Sequence, residues 1–283
     1  MSRSIWKSSA LMAVFAALPS AAFAADLATP SDDLYRGWLK MYDLKFAEAH
    51  QIFEQWKQNH PSEPLGPASD AAAYLFSEFA RLGVLESEFF TDNGAFLNRG
   101  KLQPDPNVKT EFDRQIESTD RLADSSLRSN ASDADALFAK SMSCGLRADS
   151  VSLLERHDLT ALKYIKEGRA YEEKVLMVDP KRYDAYLGSG VENYLLSLKA
   201  APVRFLLKIT GSQTDRDEGV RRVRLTAQHG HYLEPFAKLL LAVAALRDND
   251  KTRAHDLLAE LHNRFPDNPL YVRELNRIKS AAK

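Results

Sequence analysis

Two glycines one residue apart, Gly188 and Gly190, open the segment GSGVENYLLS and have the spacing of a phosphate-binding loop. Glycines in such loops let backbone N–H groups at the start of a helix approach a phosphate, and a β-strand precedes them. The preceding residues, 175–186, show no strand pattern. We therefore predict that both glycines lie inside a helix and allow close helix packing, and we expect no nucleotide or other cofactor.

The residues best suited to bind a metal are His229, His231 and Glu234. Imidazole nitrogens and a carboxylate are good zinc ligands. Histidines two residues apart on a helix point in different directions, however, and Gly230 between them favours a turn that joins two helices. Because the sequence provides no evident fourth ligand, an exposed turn is favoured over a metal site.

Familiar catalytic patterns are missing from the sequence. No serine stands in a G-x-S-x-G elbow, and no H-E-x-x-H pair occurs. Carboxylates cluster at 172–173, 215–218 and 248–250, where solvation explains them. The cluster at 215–218 also suits a helix N-terminus, which favours negative charge. We therefore expect a non-catalytic protein.

The charge and cysteine content exclude further classes. The chain has 38 Lys and Arg against 39 Asp and Glu, a net charge of −1, so the basic excess typical of nucleic-acid binders is absent and no nucleic-acid partner is expected. Cys144 is the single cysteine, so the chain forms no internal disulfide. Its apolar neighbours at 138, 142 and 146 predict a buried small side chain rather than a nucleophile.

Residues 1–24 have the organisation of a secretory signal peptide. Arg3 and Lys7 provide positive charge, residues 10–18 are apolar, and Ala22-Phe23-Ala24 matches a signal peptidase site. The apolar run is too short to span a bilayer. We predict cleavage after Ala24, export to the periplasm, and a helical domain formed by residues 25–283. No cysteine stands immediately after the predicted cleavage site, so no lipid anchor is expected.

The elements that position these residues are helices. Apolar residues recur at three-to-four spacing, as in Leu34, Trp38 and Met41, and strand-like alternation is scarce. The pattern predicts an all-α fold. After the helices around 34–42 and 46–56, the predicted segments are 69–85, 111–128, 133–148, 159–178, 183–198, 216–229, 233–246, 251–264 and 269–280.

Repeated spacing within these helices predicts stacked helix pairs. Successive intervals of 12, 4 and 8 residues occur twice, in Gly37, Ala49, Phe53 and Pro61 and in Ala242, Ala254, Leu258 and Pro266. Small residues let two helices approach, a large apolar residue fills the space toward the next pair, and proline ends the unit. This is the pattern of the tetratricopeptide repeat, which stacks into an α-solenoid of antiparallel helix pairs.

The two glycines fit this repeat. Pro180 ends one unit, and Tyr186 and Gly190 follow at the positions where the repeat has an aromatic and a small residue. Other units are degenerate. Residues 86–110, rich in glycine, proline and phenylalanine, are predicted to form a long inserted loop that docks on the protein.

The stretch 171–271 resembles a group of secreted bacterial tetratricopeptide proteins and, more distantly, the eukaryotic inclusion-body-clearance proteins. The shared features are Asp179-Pro180, Gly188, Gly190, Pro202, Phe205-Leu206-Leu207, Gly211, Asp215-Arg216, Gly219 and the closing RFPDNPLY at 264–271. The resemblance implies a degenerate helical-repeat fold and brings no catalytic residues. Asn193 departs from it, since these proteins often carry an aromatic residue there.

Three functions are compatible with this sequence. We expect first a scaffold of the periplasm or cell envelope that binds a protein or peptide in the concave groove of the solenoid. The second is an enzyme with an unrecognised site in that groove. The third is a component of an envelope complex that touches a membrane through residues 202–209, in the basic and apolar stretch KAAPVRFLLKI. A helix within the solenoid is the favoured interpretation of that stretch.

Overall fold

The structure is a computed structural model, and it describes residues 30–85, 102–198 and 211–280. These ranges contain eleven α-helices and no β-strand, which confirms the predicted all-α class. A single π-helical turn, Ser150–Leu154, follows the fifth helix, and a 3-10 turn, Tyr183–Tyr186, precedes the seventh. The helices are α1 Pro30–Tyr42, α2 Phe46–Asn59, α3 Leu65–Arg81, α4 Pro106–Ser129, α5 Ala134–Asp149, α6 Asp158–Val178, α7 Leu187–Ser197, α8 Arg216–His229, α9 Glu234–Arg247, α10 Lys251–Arg264 and α11 Pro269–Ser280.

Aspartates fix the starts of several helices. Asp133 accepts a hydrogen bond from Ala136 N at 3.0 Å, and Asp250 accepts one from Arg253 N at 3.0 Å. Asp215 accepts from the backbone N–H groups of residues 217 and 218, at 3.1 Å each. A side-chain oxygen at this position satisfies N–H groups that have no partner within the helix. The acidic cluster at 215–218 therefore begins a helix, as predicted.

The loop predicted for 86–110 extends too far. Helix α4 begins at Pro106, and Asp105 caps it by accepting from Asn107 N at 2.8 Å. Proline is common in loops, but it is also favoured in the first turn of a helix, where its missing N–H costs nothing. The same effect explains why α3 begins at Leu65 rather than 69, with Pro67 in its first turn. Residues 86–101 lie outside the described part of the chain.

Each helix packs against the next one along the chain, so the described residues form a stack of helix pairs, as expected for an α-solenoid. Helix α3 also contacts both α1 and α5, which joins neighbouring pairs. Gly37 shows how closely a pair approaches, because a Cβ atom there would lie 2.2 Å from Cε1 of Phe53. The remaining repeat positions Ala49, Ala242, Ala254 and Leu258 are fully buried, whereas Pro61, Pro180 and Pro266 lie in exposed turns.

The two ends of the stack contact each other. The Tyr42 hydroxyl of α1 donates to the carbonyl of Tyr232 at 2.8 Å, and Asn268 Nδ2 donates to the carbonyl of Tyr42 at 2.8 Å. Phe76 of α3 meets Phe236 of α9 edge to face, with ring centroids 5.2 Å apart. One apolar core therefore includes residues of both α1 and α11, whereas α7, α8 and the start of α9 bury a second, smaller cluster. The first and last repeats support each other, unlike those of an open solenoid.

Candidate functional site

The two glycines of the GSG segment lie inside α7, as predicted. A Cβ atom on Gly190 would lie 3.0 Å from the backbone nitrogen of Val223 in α8. A Cβ atom on Gly188 would lie 1.9 Å from Oε1 of Glu172 in α6. The space beside both glycines is therefore filled by the chain's own atoms, and a phosphate would have to displace them.

Buried polar groups around α7 bind one another. Glu172 accepts a hydrogen bond from Ser189 N at 2.9 Å, and burial raises its pKa to about 7. Glu192 pairs with Arg169 at 3.1 Å and accepts from Gln213 N at 3.2 Å, and burial raises its pKa as well. These contacts join α6, α7 and the segment before α8, and they have a structural role.

The hydrogen bonds of Asn193 explain why this chain has asparagine where the proteins it resembles often carry an aromatic residue. The Asn193 side chain is buried, its Nδ2 donates to Gln213 Oε1 at 2.7 Å, and its Oδ1 accepts from Asp215 N at 3.0 Å. An aromatic side chain at this position could not form this pair of bonds. The amide therefore fastens α7 to the segment that leads into α8.

The structure does not bring the three candidate metal ligands together. The His229 ring packs on Tyr183, with centroids 4.8 Å apart, and the His231 ring stacks on Tyr35 at 4.6 Å. Glu234 pairs with Lys238 at 2.5 Å. Their partners are aromatic rings and cations rather than one another. Among the described residues, no group of three or more histidine, cysteine or acidic side chains could hold a metal ion.

The turn that contains the histidines is held by a buried carboxylate. Asp184 accepts from His231 N at 3.0 Å and from Leu233 N at 2.8 Å, just before α9 begins. A Cβ atom on Gly230 would lie 2.9 Å from Oδ1 of Asp184, so glycine lets this carboxylate approach the backbone. His229-Gly230-His231 is therefore an inter-helix turn, the arrangement favoured by the sequence.

The structure describes the single cysteine but not the predicted membrane contact. Cys144 is buried, and burial raises the pKa of its thiol to about 12, as expected for a packing residue rather than a nucleophile. Residues 202–209, the predicted membrane contact, lie outside the described part of the chain. Within the described ranges, every helix is too short or too polar to cross a bilayer.

An open cleft of about 590 Å³, lined by polar residues, lies between α2, α3 and α4, and no sequence motif predicts it. Helix α2 buries Ala49, Phe53 and Trp56 on its core side, so its polar residues face outward. The lining side chains are His50, Gln51, Glu54, Gln55 and Gln58 of α2, Asp70 and Tyr74 of α3, and Arg114 of α4.

The floor of this cleft is a buried aspartate with two partners. Asp70 is 3% exposed, and it binds His50 Nδ1 at 2.5 Å and Lys57 Nζ at 2.7 Å. Lys57 also donates to Gln115 Oε1 at 3.2 Å, which links α2 to α4. The His50 ring contacts the Tyr74 ring, with centroids 4.0 Å apart, and burial raises the pKa of Tyr74. The position of the imidazole is therefore fixed.

This arrangement defines the chemistry of the cleft. When neutral His50 donates from Nδ1 to Asp70, its Nε2 becomes a hydrogen-bond acceptor on the cleft side. The eight described lining side chains include no serine, threonine or cysteine, so a hydroxyl or thiol nucleophile of those types is not among them. They provide donors and acceptors together, which suits binding of a polar ligand.

One sequence feature could have pointed to this cleft. Almost every residue of α3 between Leu65 and Phe79 is apolar or small and buried. Two buried carboxylates interrupt them: Glu78, which pairs with Arg81 on the same helix, and Asp70. A charged side chain in a buried stretch requires a partner. The partners, His50 and Lys57, lie 20 and 13 residues earlier on another helix, and spacing alone does not identify them.

Comparison with protein-family models finds none that matches the chain, and comparison with curated proteins finds no similar sequence. The features that bear on its function are therefore the geometry of the cleft and the helical stack around the cleft.

Proposed function

We propose that this protein is a non-catalytic scaffold that binds a protein or peptide in the periplasm or cell envelope. The open polar cleft between α2, α3 and α4 is the observation that carries this proposal. Stacked helix pairs form a rigid support whose surfaces other repeat proteins use for binding. Hydrogen bonds join the end of α1 to the α8–α9 turn and to the residue before α11. These contacts make the scaffold rigid, so it loses little conformational entropy when it binds a ligand.

The binding test uses an unfolded polypeptide. Fluorescently labelled, reduced and carboxymethylated α-lactalbumin is titrated with the purified protein, and fluorescence anisotropy reports the complex. We expect saturable binding of this probe and none of native α-lactalbumin, whose backbone is folded. Failure to bind any unfolded polypeptide in the micromolar range would contradict the proposal.

Export can be tested directly on the native protein. Residues 1–24 have the charge, apolar run and small residues of a signal peptide, and they lie outside the described part of the chain. We expect mass spectrometry of protein from the periplasmic fraction to show an N-terminus at Ala25. A chain that retains Met1 and stays in the cytosolic fraction would contradict the assignment.

The His50–Asp70 pair favours one alternative, an enzyme in which His50 accepts a proton from water. Chromogenic acyl esters, glycosides and phosphate esters are suitable substrates for a first test. Turnover that is lost in His50→Asn, with unfolding unchanged, would support this alternative. If His50→Asn turned over the substrate as fast as the original protein, the activity would come from a contaminating enzyme.

A further inference from the structure

We propose that the cleft binds the main chain of an extended, uncharged stretch of polypeptide, mainly through the side-chain amides of Gln51 and Gln55. This proposal rests on the binding function proposed above and specifies its site and its ligand. Both glutamines line the cleft, both are exposed, and they lie four residues apart on α2.

The spacing of the two amides matches an extended chain. Residues four apart on a helix are separated by about 6 Å along its axis. Residues two apart in a strand are separated by about 6.6 Å, and they point their backbone groups the same way. Each glutamine amide offers one carbonyl and one NH2 group, the complement of the N–H and C=O groups of one strand residue, which point the same way. Gln51 and Gln55 can therefore bind alternate residues of one strand.

The charges of the cleft favour a neutral ligand. Asp70 and Glu54 provide two negative charges, and Lys57 beside them and Arg114 across the cleft provide two positive ones. Lys57 binds both acids, at 2.7 and 2.8 Å, so its charge is compensated. Arg114 is compensated by Glu111 on its own helix. Because each of these charges is held in an ion pair, a strongly anionic or cationic ligand would have to break one of the pairs in order to bind.

A peptide fits better than a sugar polymer. Sugars use open aromatic faces together with polar groups. Tyr74 supplies the one phenol ring among the described lining residues, and the His50 ring covers it at a centroid distance of 4.0 Å. His50 is itself held by Asp70 at 2.5 Å, so moving it aside would break that bond. The cleft is better equipped to bind peptide groups than to stack a sugar ring.

The experiment compares matched variants with matched peptides. The probe is an uncharged, cysteine-free peptide from α-lactalbumin with a neutral BODIPY label, in its ordinary form and N-methylated at alternating residues. Gln51→Ala/Gln55→Ala is expected to weaken binding of the ordinary peptide about tenfold, as the loss of two hydrogen bonds predicts. Gln228→Ala, an exposed glutamine on α8 outside the cleft, is the control and should leave the affinity unchanged. N-methylation should weaken binding to the original protein by a similar factor.

Each result separates this proposal from the function on which it rests. Unchanged binding by the double variant, or equal affinity for both peptides, would overturn the main-chain proposal while the scaffold function stands. Displacement of the peptide by a neutral oligosaccharide at the same site would assign the cleft to a glycan instead. Absence of binding by the original protein would overturn the scaffold function. Circular dichroism and urea unfolding of the double variant confirm that it remains folded.

Discussion

Gly219→Ala is expected to lower the free energy of unfolding by about 3 kcal/mol, because α7 and α8 cross at this residue. A Cβ atom on Gly219 would lie 2.6 Å from Tyr194 N and 2.8 Å from Gly190 O. Both are backbone atoms, which cannot rotate away as a side chain can. The two helices must therefore separate, and the Asn193 bonds to the segment before α8 would be disturbed. Urea unfolding followed by circular dichroism measures the loss.

Gly145→Ala is the matched control for this substitution. Gly145 is also helical, but no atom lies within 4 Å of a Cβ placed there. Alanine is the better helix former, so this variant should be more stable by up to about 1 kcal/mol. If both variants gained stability, the crossing would not be crowded and the packing interpretation would fail.

Substitutions of Gly190 test the same crossing of α7 and α8 from the α7 side. Its Cβ atom would lie 2.9 Å from Val223 Cγ2 and 3.0 Å from Val223 N. Gly190→Ala should cost about 1–3 kcal/mol and Gly190→Leu more, again by overpacking. Titrations with ATP and NAD should show that the original protein binds neither nucleotide, so the substitutions cannot lower an affinity for them. Nucleotide binding that Gly190→Leu abolishes, with stability unchanged, would restore the ligand-loop interpretation.

The helices could be predicted because each depends on a local pattern. The ends of α8, α10 and α11 match the predicted 216–229, 251–264 and 269–280. Apolar periodicity, aspartate caps and a following proline act within a few residues, so they can be read along the chain. The errors include the starts of α3 and α4, where Pro67 and Pro106 lie in the first turn of a helix rather than interrupting one, and the end of α3, which stops at Arg81 rather than at 85.

Long-range contacts could not be predicted in the same way. The bond between Tyr42 and the carbonyl of Tyr232 joins residues 190 apart, and nothing near either residue specifies the other. The His50–Asp70 pair depends on how α2 packs on α3, which is a property of the folded stack. Local spacing therefore predicted the helices and a few of their packing positions, but neither the closure nor the cleft could be predicted from it.

A buried carboxyl is expected to make stability fall as pH rises from about 4.5 to about 7. Glu172 lies between α6 and α7, and burial raises its pKa from 4.5 to about 7. Below pH 4.5 the group is protonated in both the folded and the unfolded chain. At higher pH the unfolded chain ionises first, so ionisation favours unfolding. The shift corresponds to about 3 kcal/mol of unfolding free energy that is lost across this range.

Glu172→Gln should remove this part of the pH dependence. Glutamine has a similar shape, stays neutral, and can still accept the hydrogen bond from Ser189 N. We expect the variant to be more stable than the original protein by about 2–3 kcal/mol at pH 8 and nearly equal to it at pH 4.5. Urea unfolding at a series of pH values measures both chains.

Other groups that titrate can be separated from Glu172. Burial also raises the pKa of Asp149, which remains in the variant, so the difference between the two pH profiles excludes it. Burial raises the pKa of Glu192 too, and its charge acts on Glu172, so the same pair of profiles measured in a Glu192→Gln background separates the two groups. The pKa of Glu218, lowered to about 2 by Arg221 and Arg222, affects stability only at more acidic pH. Glu173→Gln removes an exposed carboxylate from α6 and serves as the control. Parallel pH profiles for the original protein and Glu172→Gln would show that Glu172 ionises in the folded protein as readily as in the unfolded chain.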